Sequence, residues 1–312
     1  MQRAHSNGTA VLALAVHVDE THGLLLASSG ADGCLAVLRC ESPGAPLQHF
    51  ASNKLERAPL FSLLSVSGFL LAGTAARDVL RLRWSELAEG LPRVERACAG
   101  HTGWVRALST DGRHVFSVGC NYVRCWDADT LEPLGQERLF AGDVLALASL
   151  DGATYSGGAD GSLRAFVVDA AQRPALKLQQ TVQNAHSDRL EALAVWSPTG
   201  SGGSQKLVSC GRDGALRVWH PDTLALEHEV LGAHGAGSRL QCLAAGSDGH
   251  LLSGGTDGRV RRWRLASSSG TLEAAGCSDS VYSAVRSLLS ISTADGACCI
   301  SGHQDGKIRV WQ

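Results

Sequence analysis

Residues 251–263, LLSGGTDGRVRRW, form a unit that this chain repeats. The unit reads as a short apolar strand, a tight Thr256-Asp257-Gly258 turn and a second strand ending in Trp263. Near-copies stand at 207–219 (LVSCGRDGALRVW), 299–311 (CISGHQDGKIRVW) and 154–166 (TYSGGADGSLRAF), with a weaker one at 26–38 (LASSGADGCLAVL). Asp-Gly between two β-forming runs marks a hairpin, because glycine accepts the left-handed backbone such turns need. One hairpin constrains little. Five in a common register constrain the whole architecture, because a single repeat cannot bury its apolar face without stacked neighbours.

Alignment on the residue before the turn glycine gives Asp32, Arg77, Asn121, Asp160, Asp213, Asp257 and Asp305, spaced 39 to 53 residues apart. Arg77 stands for a degenerate turn (TAARD) and Asn121 for a turn one residue shorter. The spacing fits four short strands with their turns, and no helix-period stretch interrupts it. The pattern predicts an all-β single domain of seven repeats, at about 5–47, 48–92, 93–135, 136–175, 176–224, 225–268 and 269–312. In repeat two, Trp84-Ser85-Glu86-Leu87 reads as the start of a polar loop. In repeat five, 197–205 (SPTGSGGSQ) reads as a flexible insertion between two strands.

Composition narrows the function classes. Apolar residues make up 44% of the 312, enough for a large core. The net charge of −2 provides no overall field for nucleic acid or an anionic membrane, so neither is expected as a direct partner. The ten cysteines are scattered without a C-x-x-C pair. They read as reduced thiols, with the protein placed in the cytoplasm or nucleus, and no four converge as a zinc site. Cys120 and Cys125 flank one hairpin, and Cys298 and Cys299 point to opposite faces of a strand. The apolar run 11–18 contains His17 and precedes Asp19 and Glu20 without a cleavage site, so it reads as a first strand, not a signal peptide. No run approaches the roughly 20 apolar residues of a membrane helix. The sequon Asn7-Gly8-Thr9 is then without consequence.

Gly100-His101 about two strands before Trp126-Asp127, with Asp-Gly turns between similar marks elsewhere, resembles the WD40 repeat family over about residues 5–312. The resemblance implies a seven-bladed β-propeller of four-stranded antiparallel blades around a central channel. Elementary physics agrees, since stacking blades in a ring buries both faces of each sheet and leaves few free edges. In that family a buried His, a second-strand Ser, the turn Asp and a third-strand Trp are hydrogen-bonded in series. By that resemblance repeat five supplies His186, Ser209, Asp213 and Trp219, and repeat six His234, Ser253, Asp257 and Trp263. Repeat three supplies His101, Ser117 and Trp126, with Asn121 in place of Asp. Repeat four has no His, and repeat seven has Gly276-Cys277 where Gly-His belongs. His303 reads as lying on the wrong side of its hairpin to substitute. Repeats two, four and seven are therefore expected to rely on packing, and Asp213→Ala to cost more than Asp160→Ala. Only residues 1–4 precede His5, too few for a full fourth strand, so either ring closure is weak or the sequence is a fragment.

The trio His186, Ser209 and Asp213 has the residue types of a catalytic triad, but it recurs at His234, Ser253 and Asp257. An enzyme needs one constellation, whereas a structural network needs one per blade. No second acidic ligand stands two residues from a turn Asp, and no phosphate loop or nucleophile elbow occurs, so neither catalysis, metal nor cofactor is expected. Recognition remains. Loops before first strands and turns before third strands gather at one end of the ring, placing there Trp104, Asp143, Arg189 and Arg239, and also Arg212, Thr256 and Gln304. Trp104 beside Arg106 is the best anchor by residue type, set against a reading in which it covers the seam of blades three and four. Arg259, Arg261, Arg262 and Arg264 form one basic run. By register with Val218 and Val310, Arg262 reads as an arginine with a buried stem, or as an acidic-peptide contact beside Arg239.

The expected function is a non-catalytic scaffold or adaptor that binds a protein or peptide within a multi-protein complex. One alternative is a subunit of a nuclear RNA-processing or mRNA-export complex, since 82–87 (LRWSEL) resembles the second blade of the sixth THO subunit. Another is a substrate receptor of a cullin-type ubiquitin ligase. Against it, Trp126-Asp127-Ala128-Asp129 and Trp219-His220-Pro221-Asp222 lack the arginine that follows Trp-Asp in that class.

Overall fold

The computed structural model describes residues 2–5, 8–19, 21–40, 47–139, 142–169, 176–198, 204–266, 271–293 and 296–311. Asn7 of the sequon and most of the Gly/Ser insertion, 199–203, lie outside them.

Each Asp-Gly hairpin joins the second and third strands of an antiparallel sheet, and seven such sheets form. Blade one pairs Val11–Asp19, Gly23–Gly30, Cys34–Cys40 and Gln48–Lys54 in chain order. Blades two to six repeat this order, with first strands at Leu60–Val66, Val105–Thr110, Val144–Leu150, Leu190–Trp196 and Leu240–Ala245. Each first strand packs on the next, and that of blade seven, Val285–Thr293, returns to that of blade one. The chain is a closed seven-bladed β-propeller with first strands innermost.

Strand pairing runs out of step with the sequence repeats by one strand. Gln48–Lys54, which opens the second repeat, is the fourth strand of blade one. Leu176–Val182 and Leu226–Val230 likewise close blades four and five.

The same offset closes the ring. Gln2–Arg3 pair antiparallel with Ile308 and Lys307, and the amides of Ala4 and His5 donate to the Gly306 carbonyl at 3.2 and 3.4 Å. The expected shortness of this strand is real, but packing compensates. Val11, Leu26, Ile300 and Ile308 share one buried cluster across the blade seven–blade one seam. A Cβ on Gly302 would lie 2.5 Å from Val11 Cγ1, and one on Gly254 would lie 2.6 Å from Val285 Cγ1. The closing seam is therefore packed like an interior seam.

Two local expectations are overturned. The polar loop of repeat two is a short helix, Trp84–Ala88, that buries Trp84, Leu87 and Ala88. Trp84 is 1% exposed, stacks on His17 of blade one at 5.2 Å and donates to Ser65 Oγ at 3.0 Å. In the degenerate turn of blade two, Arg77 itself takes the left-handed backbone (φ 77°), as Gly161 does in blade four (φ 73°). Ala76 therefore stands where the turn Asp belongs.

None of the ten cysteines forms a disulfide, and six are buried. Cys120 and Cys125 do not pair. Burial pushes the Cys125 and Cys299 thiols up to about 12.

Candidate functional site: the channel mouth

The blade interiors decide which polar residues are left for recognition. In blade five His186 Nδ1 lies 2.9 Å from Asp213 Oδ1, His186 Nε2 2.8 Å from Ser209 Oγ, and Trp219 Nε1–H donates to Ser209 Oγ at 2.8 Å. Blade six repeats these distances with His234, Asp257, Ser253 and Trp263. The chain of donors runs from indole to hydroxyl to imidazole to carboxylate, so each buried polar group has a partner. Burial acts to raise the Asp213 carboxyl, but hydrogen bonds from His186 and Arg217 outweigh it and hold the group well below the usual carboxylate range.

Blade three is incomplete. His101 bonds Ser117 at 2.7 Å and Trp126 bonds the same hydroxyl at 2.8 Å, but His101 Nδ1 has no partner and Asn121 does not join. The shortened turn accounts for this: Asn121 adjoins Tyr122, which pairs directly with Gly119. Burial, with Arg124 nearby, lowers the His101 imidazole to about 4.

Sequence reasoning missed two networks. In blade one His5 bonds Asp32 at 3.3 Å and Ser28 at 3.2 Å, with Leu38 in the tryptophan position. The His5–Asp32 separation matches His186–Asp213, a signal that was legible. In blade seven His303 does substitute for the missing histidine. It lies two residues after Ser301 on one strand, hence on the same face, bonds Ser301 Oγ at 2.8 Å and donates to the Ser283 carbonyl at 3.1 Å. Trp311 completes this network at 2.7 Å, and Asp305 turns instead to Arg309 at 3.1 Å.

A further regularity is an arginine four residues after the turn Asp: Arg164, Arg217, Arg261 and Arg309. Asp160 therefore does not lack a partner. It accepts from Arg164 at 2.7 Å and Ser162 at 2.6 Å, while Ser156 Oγ, with no histidine, stays unpartnered.

Backbone bonds tie the loops before first strands to the turns before third strands, two of them between residues singled out in the sequence. Arg212 N–H donates to Arg189 O at 2.9 Å, and Thr256 N–H to Arg239 O at 2.9 Å. Ala159 N–H donates to Asp143 O at 2.8 Å, and Gln304 N–H to Ala284 O at 3.0 Å. Inside this rim lies an inner ring that the sequence alone did not reveal. Every first strand carries a bulge at its second residue: Leu12, Phe61, Arg106, Leu145, Glu191, Gln241 and Arg286. A bulge leaves one residue out of the ladder and re-aims its side chain. Repetition at the same height on seven innermost strands gathers the bulges around one channel mouth.

On one side of the mouth Phe61 and Trp104 stack at 5.5 Å, and the Arg106 guanidinium lies 4.5 Å from the first ring and 4.7 Å from the second. Trp104 is 51% exposed and sits at the seam of blades two and three, not three and four. On the other side, burial raises the Glu191 carboxyl above the usual range against the pull of Arg189, Arg212, Arg286 and Arg106. Arg286 Nε donates to Gln304 Oε1 at 2.6 Å. Tyr282, fully exposed ahead of Val285, adds an aromatic to this end.

Arg262 is not part of this end. Its guanidinium pairs with Asp248 and contacts His250 at 3.2 Å, both on the first-to-second-strand side of blade six. It lines a groove of about 290 Å³ with Cys277 and Trp311. The expected neighbourhood with Arg239 is thus overturned, because Arg239 sits at the opposite end of the same blade.

The WD domain, G-beta repeat family matches residues 93–127, 177–220 and 227–264. The matches coincide with blades three, five and six, whose histidines precede the first strand, and leave out blade seven, where His303 takes that role. WD40 repeats are thus recognised in three places along the chain. Its fold is similar to the WD40 β-propeller domain of Doa1, with a TM-score of 0.77 at 18% identity, covering 100% of this chain and 95% of that one. In sequence, this WD40 chain is 26% identical over 256 residues to telomerase protein component 1 of Rattus norvegicus. It is 25% identical over 259 residues to that of Mus musculus. Each match covers 80% of the chain but only 9% of the relative's length. Among the described residues, no helix is long and apolar enough to cross a membrane, and no group of three or more His, Cys, Asp or Glu gathers as a metal site.

Proposed function

We propose that this propeller is a non-catalytic scaffold that binds a protein or peptide partner at the channel mouth. The WD40 propeller fold is consistent with an interaction scaffold. The observation that supports the site most is the ring of bulged residues, with Trp104 half exposed over Phe61 and Arg106. Aromatic and arginine side chains are the usual anchors of interfaces. Asp143, Arg189, Arg212, Arg239, Thr256 and Gln304 form the polar rim in this reading. The His–Ser–Asp trios are tied into blade interiors and recur, which favours a structural role over catalysis. A second reading, one subunit of a multi-protein complex in nucleus or cytoplasm, draws on the likeness to a protein named as a telomerase component.

The test is proximity labelling with wild type and with Trp104→Ala plus Arg239→Ala. The proposal expects the double variant, with an unchanged melting temperature, to lose partners that wild type labels. Identical partner sets would refute the face assignment, and turnover in a substrate screen without any partner would refute the scaffold.

A further inference from the structure

We infer that the channel mouth takes an acidic polypeptide segment; this rests on the reading above and names its partner by charge. Several arginines elsewhere in the molecule meet carboxylates, as Arg164 meets Asp160, Arg217 meets Asp213, Arg262 meets Asp248 and Arg264 meets Glu273, while others such as Arg39 and Arg124 bond backbone carbonyls. At the mouth, Arg106, Arg189, Arg212, Arg239 and Arg286 have no carboxylate within ion-pair distance among the described residues. Arg106 lies against both rings of the stacked Phe61–Trp104 pair, and Arg286 is oriented by Gln304 and by the Gln241 amide at 3.1 Å.

The acids nearby, Asp143 and Glu191 among them, act on Arg106 but are outnumbered by the five arginines. Glu191 makes no hydrogen bond or ion pair among the described residues, although four of these arginines act on it. Asp143 and Asp188 lie on the exposed rim. The mouth is therefore net cationic on a chain whose overall charge is −2. Guanidinium groups fixed in advance bind carboxylates with little ordering cost, and a partly enclosed mouth strengthens the attraction.

The geometry favours a peptide over a nucleic acid. The cations ring one opening instead of forming the stripe that tracks a nucleic-acid backbone. Trp104 and Tyr282 do present exposed rings, so an oligonucleotide is one of the comparison probes. In a peptide, an Asp or Glu side chain would reach Arg106, Arg189 and Arg286 while the flanking main chain crossed the rim. Arg212 and Arg239 would then meet its outer acids.

The test is fluorescence anisotropy of a short labelled peptide alternating Glu and Ser, with a Lys/Ser peptide and an oligouridine as comparison probes. The expected result is binding of the acidic peptide that weakens with added salt. Arg189→Glu plus Arg286→Glu should weaken it roughly tenfold or more, Arg189→Gln plus Arg286→Gln less, and Arg113→Glu, on the opposite end, not at all. Unchanged melting would show that the variants fold, since these side chains make no internal ion pair. Equal acidic-peptide affinity in wild type and the charge-reversed variant overturns the inference. Binding of the Lys/Ser peptide instead, lost in Glu191→Gln, overturns it too, as does oligouridine binding tighter than the acidic peptide. If no acidic peptide binds while Trp104→Ala plus Arg239→Ala still removes partners, the charge assignment fails and the face assignment stands.

Discussion

His186 and Asp213 are joined at 2.9 Å across the top of blade five, while in blade three His101 reaches Ser117 but its Nδ1 has no partner. Two blades of one ring thus hold the equivalent histidine in two states of satisfaction. The difference makes the network measurable.

A double-mutant cycle of His186→Ala and Asp213→Ala should return a coupling of about 1–2 kcal/mol, because a charge-assisted bond between buried groups is lost once, not twice. Chemical denaturation of the four proteins checks this. Additive losses would mean that the contact contributes nothing to stability. The comparison of Asp213→Ala with Asp160→Ala is less decisive than the sequence implies, since Asp160 holds Arg164.

Acid should destabilise the protein well above the carboxylate range. Burial lowers His101 and His303 to about 4, with Arg124 acting on the first and Arg309 on the second. In the unfolded chain such imidazoles titrate near 6.5, so between pH 6.5 and about 4 the unfolded state binds more protons than the folded one. Stability from keeping them neutral is complete above pH 6.5 and falls as pH drops, by up to roughly 1.4 kcal/mol per pH unit for each histidine. Melting temperature against pH should show this slope, and His303→Asn should flatten it. An identical slope in the variant would contradict the assignment.

Two tryptophans should behave oppositely. Trp84 is sealed between blades one and two, so Trp84→Ala should cost about 3–5 kcal/mol. Trp104 is half exposed, so Trp104→Ala should cost under about 1 kcal/mol yet impair binding. Thermal melts of the two variants check both.

Ring closure has its own probe. Gly302→Val forces a side chain onto Val11 across the last seam and should cost at least about 1–3 kcal/mol. Gly112→Val places a side chain where nothing lies within 4 Å, although its φ of 90° adds some backbone strain. The measure is therefore the excess loss at Gly302. The new side chain also meets Ser287 Oγ within blade seven, so the seam's share is isolated by repeating Gly302→Val in a Val11→Ala background, where its cost should fall; an unchanged cost would mean that the closure is held mainly by Gln2–Arg3.

The ring was legible because Asp-Gly turns and third-strand tryptophans recur in register, and each carries a local physical meaning. The Arg106–Trp104 pair was legible only as two residue types side by side. That Phe61 completes it depends on the neighbouring blade. Glu191 and Arg286 gave no signal because a β-bulge has no fixed residue type. The helix at Trp84–Ala88 is too short for periodicity to show. His303 was misread because a hairpin drawn flat hides the reach of its ring to Ser301. Arg262 was misplaced because its partner Asp248 lies in the preceding turn, which register with other third strands does not include.

The most direct test of the central claim is site-specific photocrosslinking from opposite ends of the propeller. With p-benzoylphenylalanine placed at Thr256 or at Gln304, beside the mouth, partner adducts should form. Placed at Ser247 or at Asp111, on the far end, it should give none. Adducts from the far positions with none from Thr256 and Gln304 would contradict the account.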